Sequence, residues 1–140
     1  MKGVVGLLIR NCAGGVVFCG DTVLLLKNEK SEWVLPKGVI RPGAFAQDTA
    51  IARVGHEAGV QAEIIDTAGQ TSYEFFSVSR QLPVCNRITW YLMKSETTDS
   101  TINHEEGFSE GGFYPLDEAL EMITYSQDRS LVSLAHRKLQ

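Results

Sequence analysis

Cysteine is scarce in this chain and unpatterned: Cys12, Cys19 and Cys85 are its only three. An odd count, with no CxxC or Cys/His spacing, argues against a disulfide framework and against a structural zinc site. The three are expected as reduced core thiols, since free cysteine is among the most buried residue types. Proline is also rare, 4 in 140 residues, and no Pro-, Gly- or Ser-rich linker, repeat or low-complexity stretch divides the chain. One domain over residues 1–140 is therefore expected. No apolar run is long enough to span a bilayer; Val4–Ile9 stops at Arg10. That run also lacks a signal-type cleavage site, so the cytoplasm is the expected location. Positive charge is not in excess: 13 Lys and Arg stand against 17 Asp and Glu, a net −4. This gives no general attraction to nucleic acid or an anionic membrane. Nor is there an arginine-rich or aromatic-interleaved patch of the kind that binds RNA.

What is present is an ordinary globular composition, 44% hydrophobic and 21% charged, enough to bury a real core. Val4–Ile9 and Gly15–Phe18 read as strands, broken at Asn11 and at Gly14-Gly15. Gly20-Asp21 reads as a turn into a second hairpin arm, Thr22–Leu26. Trp33–Leu35 reads as a short strand ending at Pro36, and Gly38 to Gly43 as a loop. From Ala46 to Ala58 the period becomes helical. Ala50, Ile51, Val54 and Ala58 then share one face, and Ala52, Arg53, His56 and Glu57 the other. Gly59 suits the C-cap. Gln61–Asp66, Ser72–Val78 and Arg87–Met93 read as strands, Lys94–Gly107 as a long polar loop, and Gly112–Tyr114 as extended. Leu116–Met122 and Asp128–Leu139 carry helical spacing. The order predicts an α/β (α+β) fold, a mixed β-sheet sandwiched between helices.

The segment Leu35–Val60, LPKGVIRPGAFAQDTAIARVGHEAGV, resembles the Nudix box, G-x5-E-x7-R-E-U-x-E-E-x-G-U with U aliphatic. Gly38, Val54, Glu57, Gly59 and Val60 fall on the pattern. Ala44, Ala52, Arg53 and His56 stand where it has Glu, Arg, Glu and Glu. The flanks CAGGVVF, VLLLKN, WVLPKG, ITWYLM and FYPLDEAL extend the likeness over most of the chain. They are similar to the diadenosine-polyphosphate and diphosphoinositol-polyphosphate branch of Nudix hydrolases. The resemblance implies a Nudix fold, a nucleotide or dinucleotide ligand, and Mg²⁺ or Mn²⁺ as cofactor if the protein is active. Family glutamates on the box helix collect the ions, which neutralise phosphates and activate a water.

By the same resemblance Glu57 would be a catalytic metal ligand; otherwise it is an exposed helix carboxylate. Arg53 forms either an exposed i, i+4 salt bridge with Glu57 or a cation that replaces the metal and holds a phosphate bidentately. His56 suits Mg²⁺ poorly and is expected to face solvent. Asp48 points some 100° away from it and replaces none of the lost carboxylates. Lys37, beside Gly38, could reach a phosphate or be a solvated loop lysine. Glu105 or Glu106 in the long loop could supply a metal-binding or basic carboxylate. Tyr73 could stack on a base, although strand alternation favours core packing for Tyr73 or Phe75. Trp33 and Trp90 are expected in the core. Three roles stay open: a metal-dependent pyrophosphohydrolase of weak or lost activity, a nucleotide or polyphosphate-binding module, and, disfavoured by charge, an RNA or protein platform. Monomer and homodimer are equally compatible with the sequence.

Overall fold

Strands with both faces covered read as nearly continuous apolar runs, and β1 (Leu8–Cys19), β2 (Thr22–Lys27) and β6 (Leu82–Lys94) are of this kind. Alternation sorts their side chains to two sides. Val16, Phe18, Leu25, Trp90 and Leu92 face one way. Ala13, Val17, Leu24, Leu26 and Met93 face the other. The computed structural model describes residues 6–140, so Val4 and Val5 of the first predicted strand lie outside the described residues. β3 (Trp33–Val34), β4 (Lys37–Val39), β5 (Glu63–Ser77) and β7 (Glu110–Pro115) complete a seven-stranded sheet. Its order is β3-β2-β1-β6-β5, with β4 paired to β1 and β7 to β2. β1 and β6 run parallel from Leu8 opposite Val84 to Phe18 opposite Lys94. The remaining pairs are antiparallel.

Helix α1 (Ala46–Ala58) covers one side of the sheet; α2 (Leu116–Met122) and α3 (Ser126–Lys138) cover the other. This is the mixed sheet between helices that the sequence predicts. Among the described residues no helix is long and apolar enough to cross a membrane. Trp90 is core, 1% exposed, whereas Trp33 is half-buried against Tyr114. All three cysteines are free; Cys12 and Cys85 are buried, but Cys19, at the end of β1, is only half-buried.

Several predicted boundaries are corrected. β1 is not broken at Asn11 or Gly14-Gly15. The glycines serve close packing instead: a Cβ on Gly14 would lie 2.4 Å from the Pro36 carbonyl oxygen, and one on Gly15 would lie 2.9 Å from Val54. Lys37–Val39, predicted within or beside a loop, pairs with β1. The two strands predicted over 61–66 and 72–78 are one, β5, whose bulges at Ile64/Asp66 and Thr67/Gly69 absorb the irregular pattern between them. Ile51, expected on the inner face of α1, is 40% exposed, while Glu57 is 4% exposed. The buried arc is centred on Ala50, Val54, Glu57 and Ala58, so the predicted face was rotated by about one residue.

Candidate functional site

The site is assembled where β4, α1 and the loop after β6 meet. Gly59 takes a left-handed conformation (φ 66°) and its N–H bonds the Gly55 carbonyl, closing α1 as expected. The orphan carbonyls of the last turn are taken by the long loop: Thr101 N–H donates to Ala58 O at 2.7 Å and Asn103 N–H to Glu57 O at 3.0 Å. The Asn103 amide donates to His56 O at 3.0 Å. The Asn103 side-chain oxygen in turn caps a 3-10 turn, His104–Glu106, by accepting from the N–H groups of Glu105 and Glu106. One asparagine thus ties the helix end to the loop and aims Glu106 back at α1. On the other flank, a Cβ on Gly38 would lie 2.5 Å from Arg53 Cδ and 2.7 Å from its Nε. The bare glycine lets the arginine lie across β4.

Arg53 is the hub. Its Nε and Nη2 both donate to Glu57 Oε2, at 3.1 and 2.5 Å, and Nη2 stands 3.9 Å from Glu106 Oε2. Glu106 Oε1 meets His56 Nε2 at 2.5 Å. The predicted i, i+4 pair therefore exists, but it is no exposed surface bridge: the Glu57 side chain is 5% exposed and that of Arg53 29%. Burial pushes the Glu57 carboxyl up, against the opposing pull of Arg53 and Lys37. Glu106 is held below the ordinary carboxylate range, chiefly by its hydrogen bond to His56 and also by Arg53. Ala44, Ala52, Asp48 and Glu105 are exposed, as expected of side chains outside the packed arc.

This donor set does not fit a hard divalent cation. Mg²⁺ and Mn²⁺ want several free oxygen ligands. The Glu57 Oε2 already takes two guanidinium hydrogen bonds, Glu106 is bound to an imidazole, and the positive group reaches both carboxylates. Among the described residues no group of three or more His, Cys, Asp or Glu is placed to hold an ion.

Lys37 and Tyr73 lie on the other side of the sheet from Arg53. Lys37 opposes Gly14 in the β1–β4 register, and its charge acts on Cys12, Glu32, Glu57 and Asp128. Tyr73 and Phe75 are not core residues: they are 43% and 39% exposed and stack on each other, with ring centroids 5.9 Å apart. Both faces of β5 are open along this end of the strand, where Ser72 to Phe76 are all exposed. Nearby, Tyr125 donates a short hydrogen bond to Glu32, which raises the phenol to about 12. Asp128 is raised by burial. The structure thus brings Arg53, His56, Glu57, Glu106 and Gly38 together on one side. Arg10, Asn86, Tyr125 and Asp128, which the sequence did not single out, lie around Lys37 and Tyr73. Two shallow cavities of about 330 and 370 Å³ lie elsewhere, lined in common by Gln70, Thr71 and Gln127.

The chain has relatives among known proteins. A Mycobacterium tuberculosis (strain CDC 1551 / Oshkosh) protein carrying the name mutator protein MutT4 is 29% identical over 106 residues, 74% of this chain. The chain spans 40% of that relative's length. In fold it is similar to the C. elegans Ap4A hydrolase, with a TM-score of 0.73 at 20% identity, covering 95% of this chain and 100% of that one. It is likewise similar to the E. coli dihydroneopterin triphosphate pyrophosphohydrolase, with a TM-score of 0.71 at 15% identity, covering 90% and 95%. These likenesses show a shared fold: a curled mixed sheet with three helices. The NUDIX domain profile matches residues 3–134, and with nearly the whole chain inside it, the chain belongs to the NUDIX family.

Proposed function

We propose that this protein seats a nucleoside polyphosphate or dinucleotide against α1 and β4, and that it cleaves the phosphoanhydride weakly or not at all. NUDIX hydrolases generally use divalent metals to neutralise phosphate and activate water. Here Arg53 supplies a fixed positive charge in the corresponding place. The observation that carries this reading is the Arg53 Nη2 contact to Glu57 Oε2 at 2.5 Å with Glu106 Oε2 at 3.9 Å. Glu57 positions the guanidinium; the remaining N–H groups of its planar fork can serve a phosphate. Arg41, exposed on the loop after β4, adds a further cation along the same segment.

The ligand class is supported by names among the fold relatives, Ap4A and dihydroneopterin triphosphate. The geometry also favours a binding role over the metal-dependent one. For Mg²⁺ or Mn²⁺ to be held by Glu57 and Glu106, with Glu106 as a catalytic carboxylate, Arg53 would have to leave both. Hydrolysis assays on diadenosine polyphosphates and nucleoside triphosphates with Mg²⁺ and Mn²⁺ test this. The expected result is binding with turnover far below that of a box-complete relative. Robust turnover that disappears in Glu57→Gln and Glu106→Gln would overturn it in favour of the hydrolase.

A further inference from the structure

A strand at the end of a sheet carries an outer row of backbone N–H and C=O groups that another strand can pair with. β5 is such a strand: it ends the order β3-β2-β1-β6-β5 and is bonded on one side, by β6. Part of its outer row is taken by α3. Gln127 Nε2 donates to Ser72 O at 3.1 Å, and Lys138 Nζ to Thr67 O at 2.7 Å. Beyond Ser72 that cover stops. Among the described residues nothing bonds the outer row from Tyr73 to Phe76, and the side chains there are exposed on both faces. Phe76 is 58% exposed, and Val78, in the turn that follows, 75%. The one charge on this stretch is Glu74.

Backbone groups alternate in direction along an antiparallel strand, and the register with β6 is regular from Gln70 to Ser77. The Ser72 carbonyl points outward to Gln127, so the N–H and C=O of Glu74 and Phe76 point outward too. Those of Tyr73, Phe75 and Ser77 point towards β6. An incoming antiparallel strand must therefore meet Glu74 and Phe76. Suppose that strand is the same segment of a second copy. One register centred on the open stretch sets Glu74 against Glu74, like charges directly opposed. A second sets Glu74 against Val78, whose carbonyl already accepts from the Gln81 side chain at 2.6 Å. The third sets Glu74 against Phe76 and Phe76 against Glu74. Each of these pairs then exchanges both backbone hydrogen bonds, and Phe75 faces its own copy on the two-fold axis.

We infer that β5 pairs antiparallel with β5 of a second copy in this third register, joining two sheets into one. Phe75 meets Phe75 at a non-hydrogen-bonded position, where opposed side chains are closest. Continuing the register carries the second copy's Val78 past Ser72, beside the shallow cavity of about 330 Å³ lined by Gln70, Thr71, Ser72, Arg87 and Gln127. The exposed valine gains cover there. At about 200 Å² for a whole aromatic side chain, Tyr73, Phe75 and Phe76 offer roughly 280 Å² per copy, a third of the ~800 Å² that a standard interface covers on each partner. The strand backbone, Val78 and the cavity lining extend this to a small, reversible interface, with a dissociation constant on the order of 10 μM. No residue of the Arg53 site lies in the paired stretch, so this inference stands apart from the nucleotide reading.

The test is sedimentation velocity on the full chain, from about a tenth to about fifty times that constant, with Phe76→Glu and Phe76→Lys beside the wild type. Position 76 is exposed, so both variants should fold. Wild type should pass from monomer to dimer as concentration rises. Phe76→Glu puts a carboxylate opposite Glu74 on both sides of the axis and should weaken association by about ten-fold or more. Phe76→Lys puts an ammonium there instead and should stay within a few-fold of wild type. A wild type that is monomeric at every concentration overturns the inference and leaves the edge to a strand of another protein. Dimerisation untouched by Phe76→Glu overturns it as well, because the contact then lies elsewhere. Equal loss in both variants overturns the pairing of Phe76 with Glu74 on which the inference rests.

Discussion

Removing the Arg53 side chain should expose how much of the site is a packed ion pair. In Arg53→Ala, Glu57 stays buried and loses both of its guanidinium hydrogen bonds. Breaking one partner of a fully buried pair costs ~3–5 kcal/mol, whereas an exposed pair contributes ~0–1 kcal/mol. With side chains 29% and 5% exposed, this pair lies between those limits. A loss of about 2 kcal/mol near neutral pH is expected, or roughly 6–8 °C in Tm for a domain of this size. Glu57→Gln removes the charge that burial disfavours, so it should cost less, about 1 kcal/mol or below. The double variant should be no worse than Arg53→Ala alone, giving a coupling of about 1 kcal/mol in a thermodynamic cycle. The sign of the pH dependence follows from the raised Glu57 carboxyl. Its contribution is fully present below the unfolded pKa and is lost as pH rises through the folded one. Without Arg53 the carboxyl rises further, so the deficit of Arg53→Ala should shrink as pH falls towards about 5. Denaturant melts of the four proteins at both pH values check this. Additive single effects, or a loss under about 0.5 kcal/mol, would refute the buried-pair argument.

Three other outcomes are expected. Restoring the box, with Ala44→Glu, Ala52→Arg, Arg53→Glu and His56→Glu together, should create Mg²⁺ binding measurable by calorimetry where the wild type shows little; unchanged heats would mean the frame cannot seat an ion. The Glu106 carboxyl should titrate below the ordinary glutamate range by ¹³C NMR and move up in His56→Ala. A lowered carboxylate contributes stability above its unfolded pKa and loses it as pH falls through the folded one, so the tie between loop and helix should loosen only in acid. Tyr125 should ionise near pH 12 by ultraviolet absorbance and return towards 10 in Glu32→Gln, since Glu32 is its main cause; a phenol already at 10 in the wild type would deny the hydrogen bond.

The parts legible in the sequence were those fixed by local rules. Helix α1 showed in its period and in Gly59, and the core runs of β1, β2 and β6 in their apolar continuity. The Arg53–Glu57 pair followed from i, i+4 spacing alone. What escaped depended on contacts from far along the chain. Glu57 is buried because Thr101 and Asn103 close over its turn and β4 lies beside it, and nothing within the helix states that. β5 looked like two strands because its bulges interrupt the alternation. The Gly14-Gly15 break was a misreading of glycines needed for the close approach of Pro36 and α1. Arg10 and Asn86 are brought opposite each other by a parallel register between residues 76 apart in the chain, which no local pattern reveals. Tyr73 is exposed because neither face of β5 is covered at this end, and coverage is a tertiary matter.

The most direct measurement is the affinity of a non-hydrolysable dinucleotide by calorimetry, once in EDTA and once in excess Mg²⁺. If a guanidinium has taken over the work of the ion, the two affinities should agree within a few-fold, and Arg53→Glu should abolish binding in EDTA. Binding that appears only with Mg²⁺, and that survives Arg53→Glu, would contradict the replacement of metal by arginine.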